Sequence, residues 1–301
     1  MDSNNKFPLY RSLFLSLRQT PDPAALRSFV SAQEQSGISV KWAGNAPPNQ
    51  TEEERLRIFF HYCSAKPRCA MLVSNNSQVL LQAREQHMAA VGFQPPGSPF
   101  LTGTDYVFQE FTPDLADYLK KAFCRFHRLP VLIAATGRLA IRETCMEDLP
   151  WLSHLYQAVP DDTVRFFPPS LPISERRGFL YAYIKNMYGL YDLGMYTILS
   201  VRTGEPVGHC GFSLPGTDPC LGYLIDPVFR RQGYALEACR ACLDYLWDTT
   251  DYSRVLCRFR PDNLASQRLA ECLGFRPEKP QTETAAETGD ICLTCFLSRP
   301  A

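Results

Sequence analysis

Residues 224–238 read LIDPVFRRQGYALEA, and this stretch decides the fold of the second half of the chain. It starts as an apolar strand ending at Ile225, passes through an arginine-rich loop and continues as a helix from about Ala235. The first N–H groups of a helix lack internal partners, and the helix dipole makes that end positive, so it can bind phosphate. Gly233 has no Cβ, which lets an anion approach the backbone closely. Alone the loop is a weak signal, because a glycine before a helix is often only a turn.

Composition limits the partners that we expect. The chain has 301 residues, which suggests two domains at the usual size of roughly 100–200 residues each. It has 31 basic and 31 acidic residues, so no overall basic field would recruit nucleic acid or an anionic membrane. The amino terminus lacks the features of a signal peptide, and no apolar segment is long enough to span a bilayer. We therefore expect a cytoplasmic protein with neither nucleic acid nor membrane as a partner.

Strand and helix patterns alternate through residues 1–135, which predicts a smaller α/β domain with a mainly parallel sheet. Asp22 and Gly37 mark the ends of a first helix, and a capping-box spacing at Thr51 and Glu54 indicates another. Ser77 is expected to cap a further helix. The remaining segments are strands over 38–42, 69–74, 90–94 and 105–111 and a helix over 112–127.

Residues 136–301 predict a second α/β domain. Thr144 and Glu147 are expected to cap a helix, and the polar segment 278–290 is expected to be a loop. Strands are predicted over 139–144, 195–201, 207–214, 220–225, 254–260 and 291–298, and helices over 174–190, from 235 onward and over 263–273.

The twelve cysteines include two pairs with CxxC spacing, Cys239/Cys242 and Cys292/Cys295. That spacing is found in zinc sites. Here, however, the first pair lies on the apolar stripe of a predicted helix. The second lies in a predicted strand, where three-residue spacing points the side chains to opposite faces. We therefore expect buried, reduced thiols and no bound metal.

Two motifs give the second domain a family resemblance. The run from Arg230 to Ala235 matches Arg/Gln-x-x-Gly-x-Gly/Ala, the pyrophosphate-binding signature of the GNAT superfamily of N-acetyltransferases. The preceding LGYLIDP is similar to the branch of ribosomal-protein alanine acetyltransferases. The later RPDNLASQRLAECLGF resembles the Asn-x-x-Ser…Gly-Phe element of that branch, through Asn263, Ser266, Gly274 and Phe275. The resemblance covers roughly residues 138–299.

The resemblance implies a mixed, twisted sheet with helices on both faces, in which the strand ending at Ile225 splays from the strand RVLCRFR. Acetyl-CoA would enter the gap as a co-substrate. Its pantetheine would pair with the backbone, its pyrophosphate would lie on the amides of 231–235, and Asn263 would border it from the other side. The residues implied in cofactor binding are Leu224, Ile225, Arg230, Arg231, Gln232, Gly233, Tyr234, Ala235, Asn263 and Ser266.

The resemblance also implies direct transfer of an acetyl group to a primary amine, carried by a small molecule or a peptide N-terminus. Two departures put the usual catalytic assignment in doubt. Ala270 stands where many relatives have a tyrosine, and Cys220 where many have a glutamate. The remaining catalytic candidates are Tyr223, His209 and Asp226, although residues at such positions are more often structural than catalytic. The alternative is a non-catalytic CoA-binding sensor or interaction protein.

Residues 60–130 resemble, more faintly, the closing part of a haloacid-dehalogenase-type hydrolase core. The positions of its acidic metal ligands read Ser74-Asn75-Asn76-Ser77, and no Asp-x-Asp nucleophile occurs before residue 135. Without those carboxylates, Mg²⁺ binding and phosphoryl transfer have no chemical basis. This half would then be a catalytically inactive remnant that docks, regulates or dimerises, so a homodimer is left open.

Overall fold

The computed structural model describes residues 10–17, 22–42, 54, 56–57, 60–61, 69–157, 166–167, 171–284 and 291–300. The chain divides into two compact units, Met1–Leu129 and Pro130–Ala301. The boundary thus falls earlier than the expected residue 135, because Leu132–Ala135 pairs with Leu139–Glu143 in the second unit's sheet. None of the helices among the described residues is both long and apolar enough to cross a membrane.

The first unit contains a parallel sheet with strand order β2-β1-β3-β4-β5, and every neighbouring pair is parallel, as the sequence predicts. Strand β1 was not predicted. Phe14 packs into one core cluster while its neighbours Leu13 and Leu15 pack into another, so β1 is buried on both faces. The strands are β1 Ser12–Ser16, β2 Ser39–Trp42, β3 Ala70–Ser74, β4 Ala89–Phe93 and β5 Val107–Phe108.

Helices of the first unit begin largely where the sequence indicates. The Asp22 carboxylate accepts hydrogen bonds from the first-turn amides of Ala24 and Ala25. Asn76, not Ser77, caps the next helix, since its side chain accepts from the N–H of Gln78. The capping box predicted from Thr51 lies outside the described residues. The helices are α1 Pro23–Gln35, α2 Ser77–Glu85 and α3 Leu115–Phe126.

The second unit contains a mixed sheet with strand order β12-β13-β11-β10-β9-β8-β7-β6. Neighbouring strands are antiparallel except β10 and β11, which are parallel. The strands are β6 Leu132–Ala135, β7 Leu139–Glu143, β8 Met195–Ser200, β9 Pro206–Ser213, β10 Cys220–Ile225, β11 Arg254–Phe259, β12 Arg276–Thr284 and β13 Ile291–Ser298. The helices are α4 Leu149–Gln157, α5 Arg176–Tyr183, α6 Tyr234–Thr249 and α7 Leu264–Leu273.

Three local predictions in this unit need correction. The first turn before α4 is closed by Asp148, whose carboxylate accepts from the N–H of Cys145, and not by the Thr144/Glu147 pair. The helical run expected over 174–190 continues from α5 as a π-helix, Ile184–Tyr191. Much of the predicted polar loop 278–290 belongs to β12, because β13 supplies it with an antiparallel partner.

Candidate functional site

The centre of the second sheet forks. Strands β10 and β11 pair at only two register positions, Cys220 with Leu256 and Leu221 with Cys257. On its other edge β10 stays paired with β9 as far as Ile225. The backbone of β10 beyond Leu221 therefore borders a cleft on its β11 side.

Strands β10 and β11 and helix α7 form the walls of this cleft. The cavity between them measures about 60 Å³. Its lining includes Tyr223 from β10, Arg260 from the end of β11, and Asn263, Ser266 and Ala270 at and within α7. A fork of this kind leaves peptide groups on one strand edge for a ligand to bond.

The loop after β10 is held in an unusual backbone conformation. Arg230 turns back, and its Nε donates to the carbonyl of Ile225 at 3.1 Å. Arg231 and Gly233 are both left-handed, with φ of +60° and +80°. A non-glycine residue such as Arg231 seldom adopts this region, so neighbouring contacts must hold it there. Gly233 meets the same requirement without a Cβ.

Helix α6 starts directly from this loop. It begins at Tyr234, one residue before the predicted start, with Gly233 at the N-cap. Among the described residues, the backbone N–H groups from Arg231 to Ala235 have no hydrogen-bond partner. Unpartnered amides at the positive end of a sixteen-residue helix can bind an anion.

Tyr223 reaches across the cleft to α7. Its hydroxyl donates to Oγ of Ser266 at 2.8 Å. Asn263 caps the same helix, because its Oδ1 accepts from the N–H of Ser266 at 3.0 Å. Burial raises the pKa of the Tyr223 hydroxyl well above its usual range, which the bond to Ser266 offsets only in part. The phenol is therefore a hydrogen-bond donor at ordinary pH.

His209 lies on the opposite face of the sheet from Tyr223. In the β9–β10 register Tyr223 is opposite Cys210 and Leu224 is opposite His209, and successive side chains of a strand alternate between faces. Cys210 faces α6, with its Sγ 3.7 Å from that of Cys239. The structure thus does not bring together the two residues that the sequence nominated for catalysis.

Both nitrogens of the buried His209 ring have partners. Nδ1 lies 3.0 Å from the Tyr156 hydroxyl and Nε2 lies 2.9 Å from Oγ1 of Thr144. Burial lowers the pKa of His209 to about 3, although the charge of Asp148 acts in the opposite direction. A general base works best with a pKa near the operating pH, so this imidazole is poorly suited to the role.

A buried polar network continues from His209 to an ion pair. Oγ1 of Thr144 lies 3.0 Å from Oγ1 of Thr197, which donates to Asp148 at 2.8 Å. Arg142 binds the Asp148 carboxylate through two nitrogens, both at 2.7 Å. Burial acts to raise the pKa of Asp148, but the hydrogen bonds from Arg142, Cys145 and Thr197 and the charge of Arg142 together outweigh it, so the pKa is lowered. The network explains why a polar ring is tolerated at this depth.

The cysteines near the cleft are protonated or packed. Burial raises the pKa of the Cys220 thiol to about 11, against the weaker effect of Arg258. A thiol with that pKa is a poor nucleophile at neutral pH. Cys239 contacts Cys210, and Cys295 lies opposite the strand residue Cys257. In the described part of the chain no group of three or more metal-ligating side chains could hold a metal ion, and zinc content stays a prediction.

The second unit thus combines a forked mixed sheet with unpartnered amides at a helix N-terminus. Residues 138–276 match the family model of the acetyltransferase (GNAT) domain. The matched residues all lie in the second unit. The resemblance of residues 60–130 to a hydrolase core stays a hypothesis.

The chain is similar to several known proteins and solved structures. The chain is 34% identical over 94 residues to the uncharacterized protein YkkB of Bacillus subtilis (strain 168), covering 30% of this chain and 54% of YkkB. It is 25% identical over 147 residues to the uncharacterized N-acetyltransferase p20 of Bacillus licheniformis, covering 48% of this chain and 82% of p20. It is also similar to the structure of a putative GNAT-family acetyltransferase from Bordetella pertussis. The two are 25% identical, the match covers 55% of this chain and 98% of that chain, and the TM-score is 0.46. The chain thus spans about half the length of YkkB.

Proposed function

We propose that the protein is an N-acetyltransferase that moves an acetyl group from acetyl-CoA directly to a primary amine. The fork between β10 and β11 is the observation that carries the proposal, because it opens beside the unpartnered amides from Arg231 to Ala235. A free strand edge suits the amide-bearing pantetheine arm of CoA, and a helix N-terminus suits its pyrophosphate.

In the proposal each side of the cleft binds a part of the co-substrate. The backbone at Leu224 and Ile225 pairs with the pantetheine, and the amides of 231–235 bind the pyrophosphate. The guanidinium of Arg231 adds positive charge near the phosphates. Asn263 and Ser266 border the arm from α7, where they line the cleft.

Direct transfer needs a proton donor for the departing thiolate. Relatives supply a tyrosine from the helix, at the position that Ala270 fills here. Tyr223 comes from the strand instead, and its hydroxyl reaches Ser266, which lies one helical turn before Ala270. We assign Tyr223 as the hydrogen-bond donor that stabilises the departing thiolate, since its raised pKa keeps the proton on the phenol.

The acceptor amine must lose a proton before it attacks. The neutral, doubly bonded ring of His209 does not offer a base near the working pH, so the proton leaves through water. Within this proposal His209 holds the sheet and the α4 side chain Tyr156 in place. The acceptor is a small-molecule amine or a peptide N-terminus, and the cytoplasmic location stays a prediction.

A second function, CoA binding without transfer, is favoured by a different set of observations. Ala270 brings no hydroxyl, Cys220 brings no carboxylate, and His209 is neutral. The anion-binding loop suits a sensor or interaction protein equally well.

Acetyl-CoA turnover with a panel of amines separates the two functions. Release of free CoA thiol is followed with small amines, polyamines and short peptides as acceptors, and CoA affinity is measured by calorimetry on the same preparation. Amine-dependent thiol release supports the enzyme. Binding with no turnover on any amine supports the sensor, and absence of CoA binding refutes both.

A further inference from the structure

Arg138 connects the β6–β7 turn to the anion-binding loop. Its Nη1 donates to the carbonyl of Gln232 at 2.9 Å, and its Nε donates to Oε2 of Glu237 at 2.7 Å. The Nη2 group also pairs with the Glu237 carboxylate. The guanidinium lies 4.9 Å from the centre of the Tyr234 ring. One side chain thus contacts three residues at the start of α6, all more than ninety positions away in the sequence.

The bond to Gln232 sets the direction of an amide. The carbonyl of Gln232 and the N–H of Gly233 belong to one planar, trans peptide group, so they point in opposite directions. Because Arg138 holds the carbonyl on its own side, the N–H of Gly233 points to the other side. Gly233 follows this peptide with a φ of +80°, and glycine accepts many φ values, so without Arg138 the peptide could rotate easily.

The bonds to Glu237 compensate a negative charge close to the proposed phosphate site. Glu237 lies in the first turn of α6, where its negative charge would repel a bound phosphate. Thr136, in the same turn as Arg138, donates to Oε1 of Glu237 at 2.5 Å. Burial acts to raise the pKa of Glu237, but the bonds from Thr136 and Arg138 outweigh it and lower the pKa. The carboxylate therefore stays ionised and paired with Arg138.

We infer that Arg138 is a positioning residue that orients the phosphate-binding loop, acting through the Gln232 carbonyl and the Glu237 carboxylate. The inference rests on the proposed function, since it assumes that the loop binds the pyrophosphate of CoA. It assigns a binding role to a turn that lies outside the signature motif.

The test compares ligands with and without the pyrophosphate. Kd for CoA is measured by calorimetry for the wild type, Arg138→Ala, Arg138→Lys and a control, Arg202→Ala, which removes an exposed arginine from the neighbouring β8–β9 turn. Turnover is measured with acetyl-CoA and with S-acetylpantetheine, a donor that lacks the phosphates.

Arg138→Ala should raise Kd for CoA at least tenfold and raise KM for acetyl-CoA similarly, with kcat changed less than threefold. Its kcat/KM with S-acetylpantetheine should match the wild type. The Kd of Arg138→Lys for CoA should lie between those of the wild type and Arg138→Ala. An ammonium lacks the planar set of N–H donors with which the guanidinium binds Gln232 and Glu237 at once. Arg138→Ala/Glu237→Gln should recover part of the affinity, since it removes the unpaired carboxylate.

Two results overturn the inference while leaving the proposed function intact. One is a Kd for CoA in Arg138→Ala within twofold of the wild type. The other is an equal loss with S-acetylpantetheine, which indicates a general structural defect. A wild-type protein that does not bind CoA refutes the proposed function and the inference together. If CoA binds without turnover, the Kd values of the wild type, the Arg138 variants and Arg202→Ala decide whether Arg138 orients the loop.

Discussion

Replacing Gly233 with aspartate and, separately, with asparagine tests whether the loop binds phosphate. The two side chains have nearly the same shape, but only aspartate carries a negative charge. A Cβ at this position would have Nη2 of Arg138 as its nearest contact at 3.5 Å, so there is room for a side chain. The φ of +80° costs most residues about 1–2 kcal/mol, but Asn and Asp tolerate the left-handed region better. Both variants should therefore fold, and they differ only in charge.

The charge effect can be bounded by Coulomb's law. A carboxylate about 4 Å from a phosphate costs about 1 kcal/mol in water and about 4 kcal/mol at an effective dielectric constant of about 20. Arg138 compensates only in part, because its guanidinium already serves Glu237 and Gln232. A free energy of about 1.4 kcal/mol is tenfold in Kd. We expect Gly233→Asp to weaken CoA binding at least tenfold and Gly233→Asn by much less.

Thermal denaturation with CoA provides the assay. At a ligand concentration of about 100 Kd the wild type gains about 2.7 kcal/mol, or a rise in Tm of roughly 5–11 °C for a unit of this size. A tenfold weaker Gly233→Asp variant at the same concentration gains about 1.4 kcal/mol, so its shift is about halved. Equal shifts in Gly233→Asp and the wild type would show that the loop is not the phosphate site. Equal losses in both variants would show that charge is not the cause.

Three further predictions concern the chemistry. Tyr223→Phe should lower kcat by at least tenfold with little change in Kd for CoA, because removing one hydrogen-bond donor to a developing charge typically costs about 10²–10³-fold. An unchanged kcat in steady-state assays contradicts that role. His209 has a folded pKa of about 3, below the roughly 6.5 of an unfolded chain, so the unfolded state takes up the proton first as the pH falls. Its contribution to the free energy of unfolding should drop by about 1.4 kcal/mol per pH unit below pH ~6.5. Urea titrations at a series of pH values should therefore show that the free energy of unfolding depends less steeply on pH in His209→Gln than in the wild type. Cys220→Ala should turn over normally, whereas loss of turnover together with an acetylated Cys220 in the wild type by mass spectrometry would replace direct transfer with an acyl-enzyme.

Local signals in the sequence were sufficient for most elements and for the loop. Asp22 and Gly37 bracket α1 because capping and left-handed termination involve residues only a few positions apart. The start of α6 at Tyr234, directly after Gly233, follows from the same short-range physics. Strand β1 was missed because its apolar run is too short to distinguish from other buried segments until its parallel neighbours on both sides are known.

The arrangement around the loop depended on pairings between distant segments. Alternation within β9 and β10 was visible in the sequence, but only their register places Tyr223 and His209 on opposite faces, and a slip of one residue would reverse that result. The fork appears only once β10 and β11 are seen to pair at two positions. Arg138 reaches Gln232 across 94 residues. The sequence by itself determined the strand, the loop and the helix, because each forms from neighbouring residues. Only the tertiary structure decided which side chains and strand edges surround these elements, because register and packing are set by the whole sheet.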